Sequence, residues 1–281
     1  LAATAAHGVD EKPLSAATDG AITLQDVAFR EPLDLEVGSA LVCEVPADGR
    51  EVEFRPAGEP DRVVCSIGRM SSQTTPVSKP KSSFSTLSEA RARCIEEVPN
   101  VLERYAELQE RGFHGPQFQT LAQVWRSAGG DEVVAKLRVP AALSSERYHV
   151  HPAVLDGVFQ LVGFCSAVEA AGGKAWVPAG IKSLELQQRL PLMRAEPHDP
   201  ESADRWMWAS ARLVKSSTQV QIVDLAVYAA STGDVGMSVE GFRYGALKPR
   251  PASVALYEAQ WSQVTADLER SSITSMPETV I

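Results

Sequence analysis

No stretch of the chain approaches the ~20 consecutive apolar residues that a membrane-spanning helix needs. Basic charge is in deficit. Lysine and arginine number 27 against 36 acidic residues, a formal net charge of -9. That balance argues against nucleic acid or an anionic membrane as the main partner, though a local basic patch can still dock an acidic protein. Cysteine is scarce: Cys43, Cys65, Cys94 and Cys165. None stands in a C-x-x-C pair, so zinc and redox motifs are missing, and reduced thiols of a cytoplasmic protein are expected. The first residues hold no basic segment leading into an apolar stretch, so no signal peptide is expected. The chain opens on Leu1 rather than Met and reads as a piece of something longer.

What is present is a chain of 281 residues, 44% hydrophobic, enough to bury a substantial core. Leu1 to His7 reads as the end of a helix stopped by Gly8, and Ile22 to Phe29 as a strand. Ala40 to Val45 and Glu51 to Arg55 flank Asp48-Gly49, a hairpin signal, and Arg62 to Ile67 is a further strand. Met70 to Ser85, rich in Ser, Thr, Pro and Lys, reads as a linker. Thr86 and Glu89 form a capping box that opens a helix through about Glu97. Asn100 caps a second helix, Val101 to Arg111.

Strands are expected at Gln119 to Arg126 and Glu132 to Val139, turning at Gly129-Gly130, and a mostly apolar helix at Pro152 to Ala171. Further strands are expected at Ile181 to Leu186, Arg205 to Val214, Gln219 to Tyr228 and Val235 to Phe242. On the third of these strand segments from the end, Trp206 and Trp208 should share one face. The two halves echo each other. A helix tail precedes ITLQDVAFREPLDL, and a helix tail precedes IKSLELQQRLPL, as if a helix-plus-sheet unit had been duplicated.

The strongest local signal is His151 to Gln160, HPAVLDGVFQ. Asp156 falls inside an apolar helix, where a lone carboxylate must be paired, protonated or at a cavity. Gln160 lies four residues on, on the same face. A carboxyl beside an amide suits general acid work, and a carboxylate bonded to nearby backbone suits the pattern equally. The second signal is Phe113-His114-Gly115-Pro116-Gln117-Phe118, a fixed turn that either lines a pocket or simply joins helix to strand. His149 and His151 share an extended segment, but no third metal ligand accompanies them.

These segments resemble the dehydratase domains of modular polyketide synthases. The HPALLDxxxQ-like stretch of that family appears as His151 to Gln160, its aromatic-GPxF turn as His114 to Phe118, and its W-x-P segment as Trp176-Val177-Pro178. Leu256 to Trp261 resembles the segment that joins a dehydratase to its next domain. The family's HxxxGxxxxP motif, which carries a catalytic histidine, is not in the sequence: His7 is followed by Glu11 where glycine is required. On this resemblance the chain reads as cut off near its N-terminus. The turn carries His114 where the family usually has Tyr.

The resemblance implies an α+β double hot-dog fold, two antiparallel sheets each wrapped around a central helix, the first helix incomplete. It divides the chain into residues 1–85, a truncated first unit with linker, residues 86–250, the second unit, and residues 251–281, a following linker. It implies removal of water from a 3-hydroxyacyl thioester on acyl carrier protein, giving a 2,3-enoyl thioester. Asp156 would be the general acid and Gln160 its hydrogen-bonding partner. The acyl site would be lined by His114, Gly115, Pro116, Phe118, His151, Leu155, Trp176 and Pro178. No cofactor would be bound, because elimination is redox-neutral and the substrate rides on phosphopantetheine. Neighbouring ketosynthase, acyltransferase and ketoreductase domains and a homodimer are further implications. Two alternatives stay open: an inactive structural or docking module, and double-bond migration or ring closure on the same fold.

Overall fold

The computed structural model describes residues 21–31, 40–46, 51–73, 84–110, 115–139, 150–165, 176–186, 205–229 and 232–246. The chain divides into compact units at Leu1–Leu247 and Lys248–Ile281, and every described residue belongs to the first. The helix tail at Leu1 to His7, the Asp48-Gly49 turn and the linker at residues 251–281 lie outside the described residues.

Strands β1 (Ala21–Phe29), β2 (Leu41–Glu44), β3 (Val52–Pro56) and β4 (Cys65–Gln73) form the first half. Helix α1 (Leu87–Arg93), β5 (Cys94–Glu97), α2 (Val101–Glu110), β6 (Leu121–Ser127) and β7 (Glu132–Val139) follow. Then come α3 (Pro152–Gln160), β8 (Trp176–Leu186), β9 (Arg205–Ser216), β10 (Val220–Tyr228) and β11 (Val235–Ala246). Among the described residues these strands join in one antiparallel sheet, in the order β2-β3-β4-β1-β8-β11-β10-β9-β7-β6-β5. Among the described residues no helix is long and apolar enough to cross a membrane.

The two halves meet at β1 and β8. Aligning the echoing sequences sets Ile22 on Ile181 and Val27 on Leu186. The observed pairs are Ile22 with Leu186 and Val27 with Ile181. The echoing strands thus run antiparallel, side by side at the middle of the sheet.

Strand alternation builds the core. On β7, Val133, Ala135, Leu137 and Val139 point into the main core with Val154, Val158 and Leu161 from α3 and its extension. Val134 points the other way, into a smaller cluster with Ala90, Cys94, Ala226, Tyr228 and Val235. Helix α1 covers that second face. Its capping box is formed as the sequence predicts: Thr86 accepts from the Glu89 N–H and the Glu89 carboxylate accepts from the Thr86 N–H. Trp206 and Trp208 share this face, under Lys136 at 4.3 Å and Arg91 at 4.6 Å respectively.

Helix α1 is clamped by Arg93, whose Nε and Nη2 each donate to a Glu132 carboxylate oxygen at 2.7 Å. The Glu132 side chain is only 11% exposed, so losing its partner is costly. Arg93→Ala is expected to lower stability by about 1–2 kcal/mol, after discount for the exposed arginine. Arg62→Ala, which breaks pairs with the exposed Glu31 and Glu59, should lower it less. Chemical denaturation of both variants checks the difference.

Several boundaries depart from the sequence reading, β8 for one beginning at Trp176 and not Ile181. Cys94 to Glu97 is not the end of a helix but the edge strand β5, paired with β6 through Cys94–Ser127 and Glu97–Trp125. Met70 to Gln73 is not linker: β4 runs on, because β1 offers a free ladder from Ala21 to Leu24. Helix α3 keeps α geometry only to Gln160 and tightens to a 3-10 turn at Leu161–Phe164, a common way to satisfy terminal carbonyls.

Candidate functional site

Helix α3 starts where Pro152 presets the first turn and His151 supplies the cap. The His151 Nδ1 accepts the Ala153 N–H at 3.2 Å. Residues four apart then line up on the helix. Leu155 and Phe159 project into an apolar cleft walled by Leu24, Val27, Phe54, Ile67, Ile181 and Leu184. Asp156 and Gln160 occupy the adjoining face, and the Gln160 Nε2 donates to Asp156 Oδ2 at 2.5 Å.

The Gly115-to-Phe118 turn lies against this pair. Pro116–Phe118 is a 3-10 turn that follows Gly115, and the Phe118 carbonyl accepts the Gln160 Nε2 at 3.0 Å. Tyr105, on α2 and 4% exposed, completes the network. Its hydroxyl accepts the Leu121 N–H at 3.1 Å and donates to Gln160 Oε1 at 2.5 Å. Burial, and then the nearby Asp156 charge, push the Tyr105 hydroxyl well above the usual tyrosine range.

An aromatic wall runs past the helix. Phe159 stacks on Phe242 with centroids 4.6 Å apart, Phe242 leads to Tyr244 at 6.1 Å, and Tyr244 to Trp176 at 6.1 Å. Burial, and then the Asp156 charge, also raise the Tyr244 hydroxyl above the usual tyrosine range.

The sequence-predicted residues therefore divide. Asp156, Gln160, Gly115, Pro116 and Phe118 come together, Leu155 enters the cleft, and Trp176 joins the aromatic wall. Pro178 lies exposed on β8 opposite Tyr244. His151 serves as helix cap. His114 lies outside the described residues. Tyr105, Phe242 and Tyr244 were not foreseen. The one signal for Tyr105 is its place four residues after Val101 on an amphipathic helix, since a buried tyrosine hydroxyl needs a partner.

The cap predicts a pH response. Burial lowers the pKa of His151, and only an unprotonated Nδ1 can accept the Ala153 N–H. The unfolded chain then binds the proton more readily than the folded one. Stability is full above the unfolded value of about 6.5 and falls as the pH drops through it towards the lower folded value. His151→Asn, a capping residue that does not titrate, should flatten this acid-side decline. Thermal unfolding of both proteins across mildly acidic to neutral pH reads the difference, and parallel curves would remove His151 as the cause.

A family model described as polyketide synthase dehydratase N-terminal domain matches residues 84–253, more than half of the chain. A phenolphthiocerol synthesis polyketide synthase type I of Mycobacterium bovis is 35% identical over 85 residues, which are 29% of this chain and 4% of that protein. The chain thus spans a small part of the curated relatives it matches. A dehydratase domain from the CurF module of curacin polyketide synthase superposes with a TM-score of 0.61 at 18% identity, covering 82% of this chain and 77% of that one. The dehydratase domain of a mycocerosic acid synthase-like polyketide synthase does so with a TM-score of 0.61 at 21% identity, covering 81% and 74%. At such identities the likeness to these structures speaks for the fold.

Proposed function

Because the chain belongs to the polyketide synthase dehydratase family and has its double hot-dog fold, we propose that it removes water from a 3-hydroxyacyl thioester carried by an acyl carrier protein. The observation that carries this reading is the Asp156–Gln160 pair, set on α3 beside the apolar cleft that Leu155 and Phe159 enter.

The chemistry needs an acid at the leaving hydroxyl. The Cα–H bond breaks, its electron pair forms the Cα=Cβ double bond, and the Cβ–O bond breaks. Asp156 gives its proton to the departing oxygen, which leaves as water. The α-proton goes to a base, which the family resemblance assigns to a histidine of the HxxxGxxxxP motif. The apolar cleft and the Phe159–Phe242–Tyr244 wall suit an acyl chain. No oxidation state changes overall, so the step calls for no redox cofactor. The substrate arm comes from acyl carrier protein, in the setting of a multidomain synthase.

The test presents the full-length polypeptide carrying these residues with acyl carrier protein loaded with 3-hydroxyacyl groups. The expected product is an acyl arm lighter by one water, read by mass spectrometry of the phosphopantetheine. Binding of the loaded carrier with an unchanged acyl chain would overturn the dehydratase reading in favour of a docking module. A shifted double bond from an enoyl substrate without any water loss would overturn it in favour of an isomerase.

A further inference from the structure

We propose that Tyr105 is a positioning residue: it sets which way the Gln160 amide points, and so which Asp156 oxygen holds the acid proton. This rests on the acid role of Asp156 proposed above.

Two backbone groups bracket the amide, and each can act in only one sense. The Leu121 N–H can only donate, and it does so to the Tyr105 oxygen. A tyrosine hydroxyl has one proton, so with that lone pair engaged it donates onward, to Gln160 Oε1. On the other side the Phe118 carbonyl can only accept, so the group facing it must be the Gln160 NH2. Both anchors demand the same orientation, and neither can reverse. The amide nitrogen is thereby aimed at Asp156 Oδ2.

In a carboxylic acid the carbonyl oxygen is the better acceptor, so an N–H held at one oxygen favours the proton on the other. Oδ2 is the accepting oxygen, and the acid proton belongs on Oδ1. Without the Tyr105 hydroxyl one anchor disappears, and a half-turn of the amide would set its carbonyl against Asp156. That turn would favour a proton on Oδ2 instead, donated to the Gln160 carbonyl. Leu121 and Phe118 lie at either end of one short segment after the Pro116 turn, so one loop sets both anchors. The raised Tyr105 keeps its proton throughout the neutral range, so the relay does not invert as pH changes.

The test reads the Gln160 side-chain amide directly by NMR in the 15N- and 13C-labelled chain, its resonances assigned by their loss in Gln160→Ala. In the unaltered chain, a coupling across the hydrogen bond is expected from Gln160 Nε2 to the Asp156 carboxyl carbon, with slow solvent exchange of both amide protons. Tyr105→Phe should weaken that coupling and speed exchange about tenfold, the effect of one lost hydrogen bond. In the turnover assay of the full-length polypeptide, kcat should fall about 10- to 100-fold with KM nearly unchanged. An amide signature in Tyr105→Phe identical to the parent, with stability alone reduced, would show Tyr105 to be a packing residue and overturn the proposal. If Tyr105→Phe fails to fold, the unaltered chain decides alone: no coupling to the Asp156 carboxyl carbon overturns it. An altered amide together with no dehydration by the parent would instead reject the acid role and leave the relay standing.

Discussion

Asp156→Asn is expected to lower dehydration by about 10²- to 10⁴-fold, the usual worth of a positioned general acid. The substitution changes almost nothing but the proton. Asparagine has the same shape, and its carbonyl can accept the Gln160 Nε2 as Asp156 Oδ2 does now. Asp156 is half-buried, so the neutral amide meets no new desolvation cost. KM should therefore hold while kcat collapses, the pattern of an interaction made only in the transition state. Turnover of a 3-hydroxyacyl carrier substrate by the full-length polypeptide and its variant is the measurement. Turnover retained in Asp156→Asn would take Asp156 out of the acid role and leave the Asp156–Gln160 pair as a structural hydrogen bond.

Gly157→Ala should be among the most damaging small substitutions in the domain. A Cβ at Gly157 would stand 2.0 Å from Thr120 Oγ1 and 3.0 Å from Leu137 Cδ2. Thr120 is 1% exposed and Leu137 fully buried, so neither has room to yield. Overpacking of this kind costs about 1–3 kcal/mol, equivalent to a fall of about 2–12 °C in Tm for a domain of this size. The helix must move off the sheet to relieve the clash, and Asp156, the adjacent residue, moves with it. Activity should fall further than stability.

The partner variant makes this test specific. Thr120 Oγ1 is buried with no hydrogen-bond partner among the described residues, so Thr120→Ala alone should be close to neutral. In the double variant Thr120→Ala should recover most of the loss, a coupling of about 1–2 kcal/mol between touching residues. Denaturant midpoints for the four proteins of the cycle give the coupling. Simple additivity would mean that the clash is relieved elsewhere and that α3 is not seated by this contact.

Much of the site was legible from spacing. Asp156 inside an apolar helix, Gln160 four residues later, and Gly115-Pro116 before Phe118 are local patterns, and local geometry carries them into the folded chain. Tyr105 was not legible. Its value lies in meeting Gln160, 55 residues away, and no periodicity on α2 reports a partner on α3. The stretch Cys94 to Glu97 reads as helix for a similar reason. Its own preferences were overridden by the open edge of β6, which offered backbone partners that a sequence window does not contain.

By itself the sequence determined what repeats over a few residues: the period-2 alternation of β7, the capping box of α1, and the shared face of Asp156 and Gln160. These depend on bonds and side-chain directions within one element, so neighbours in the chain suffice to set them. The tertiary structure alone decided which elements meet. It paired β1 with β8, ran β4 through the supposed linker, seated Gly157 against Thr120, and brought Tyr105 to the amide beside the carboxylate. Those outcomes follow from burying apolar faces and pairing backbone groups across long separations, where the energy belongs to the contact and not to either segment.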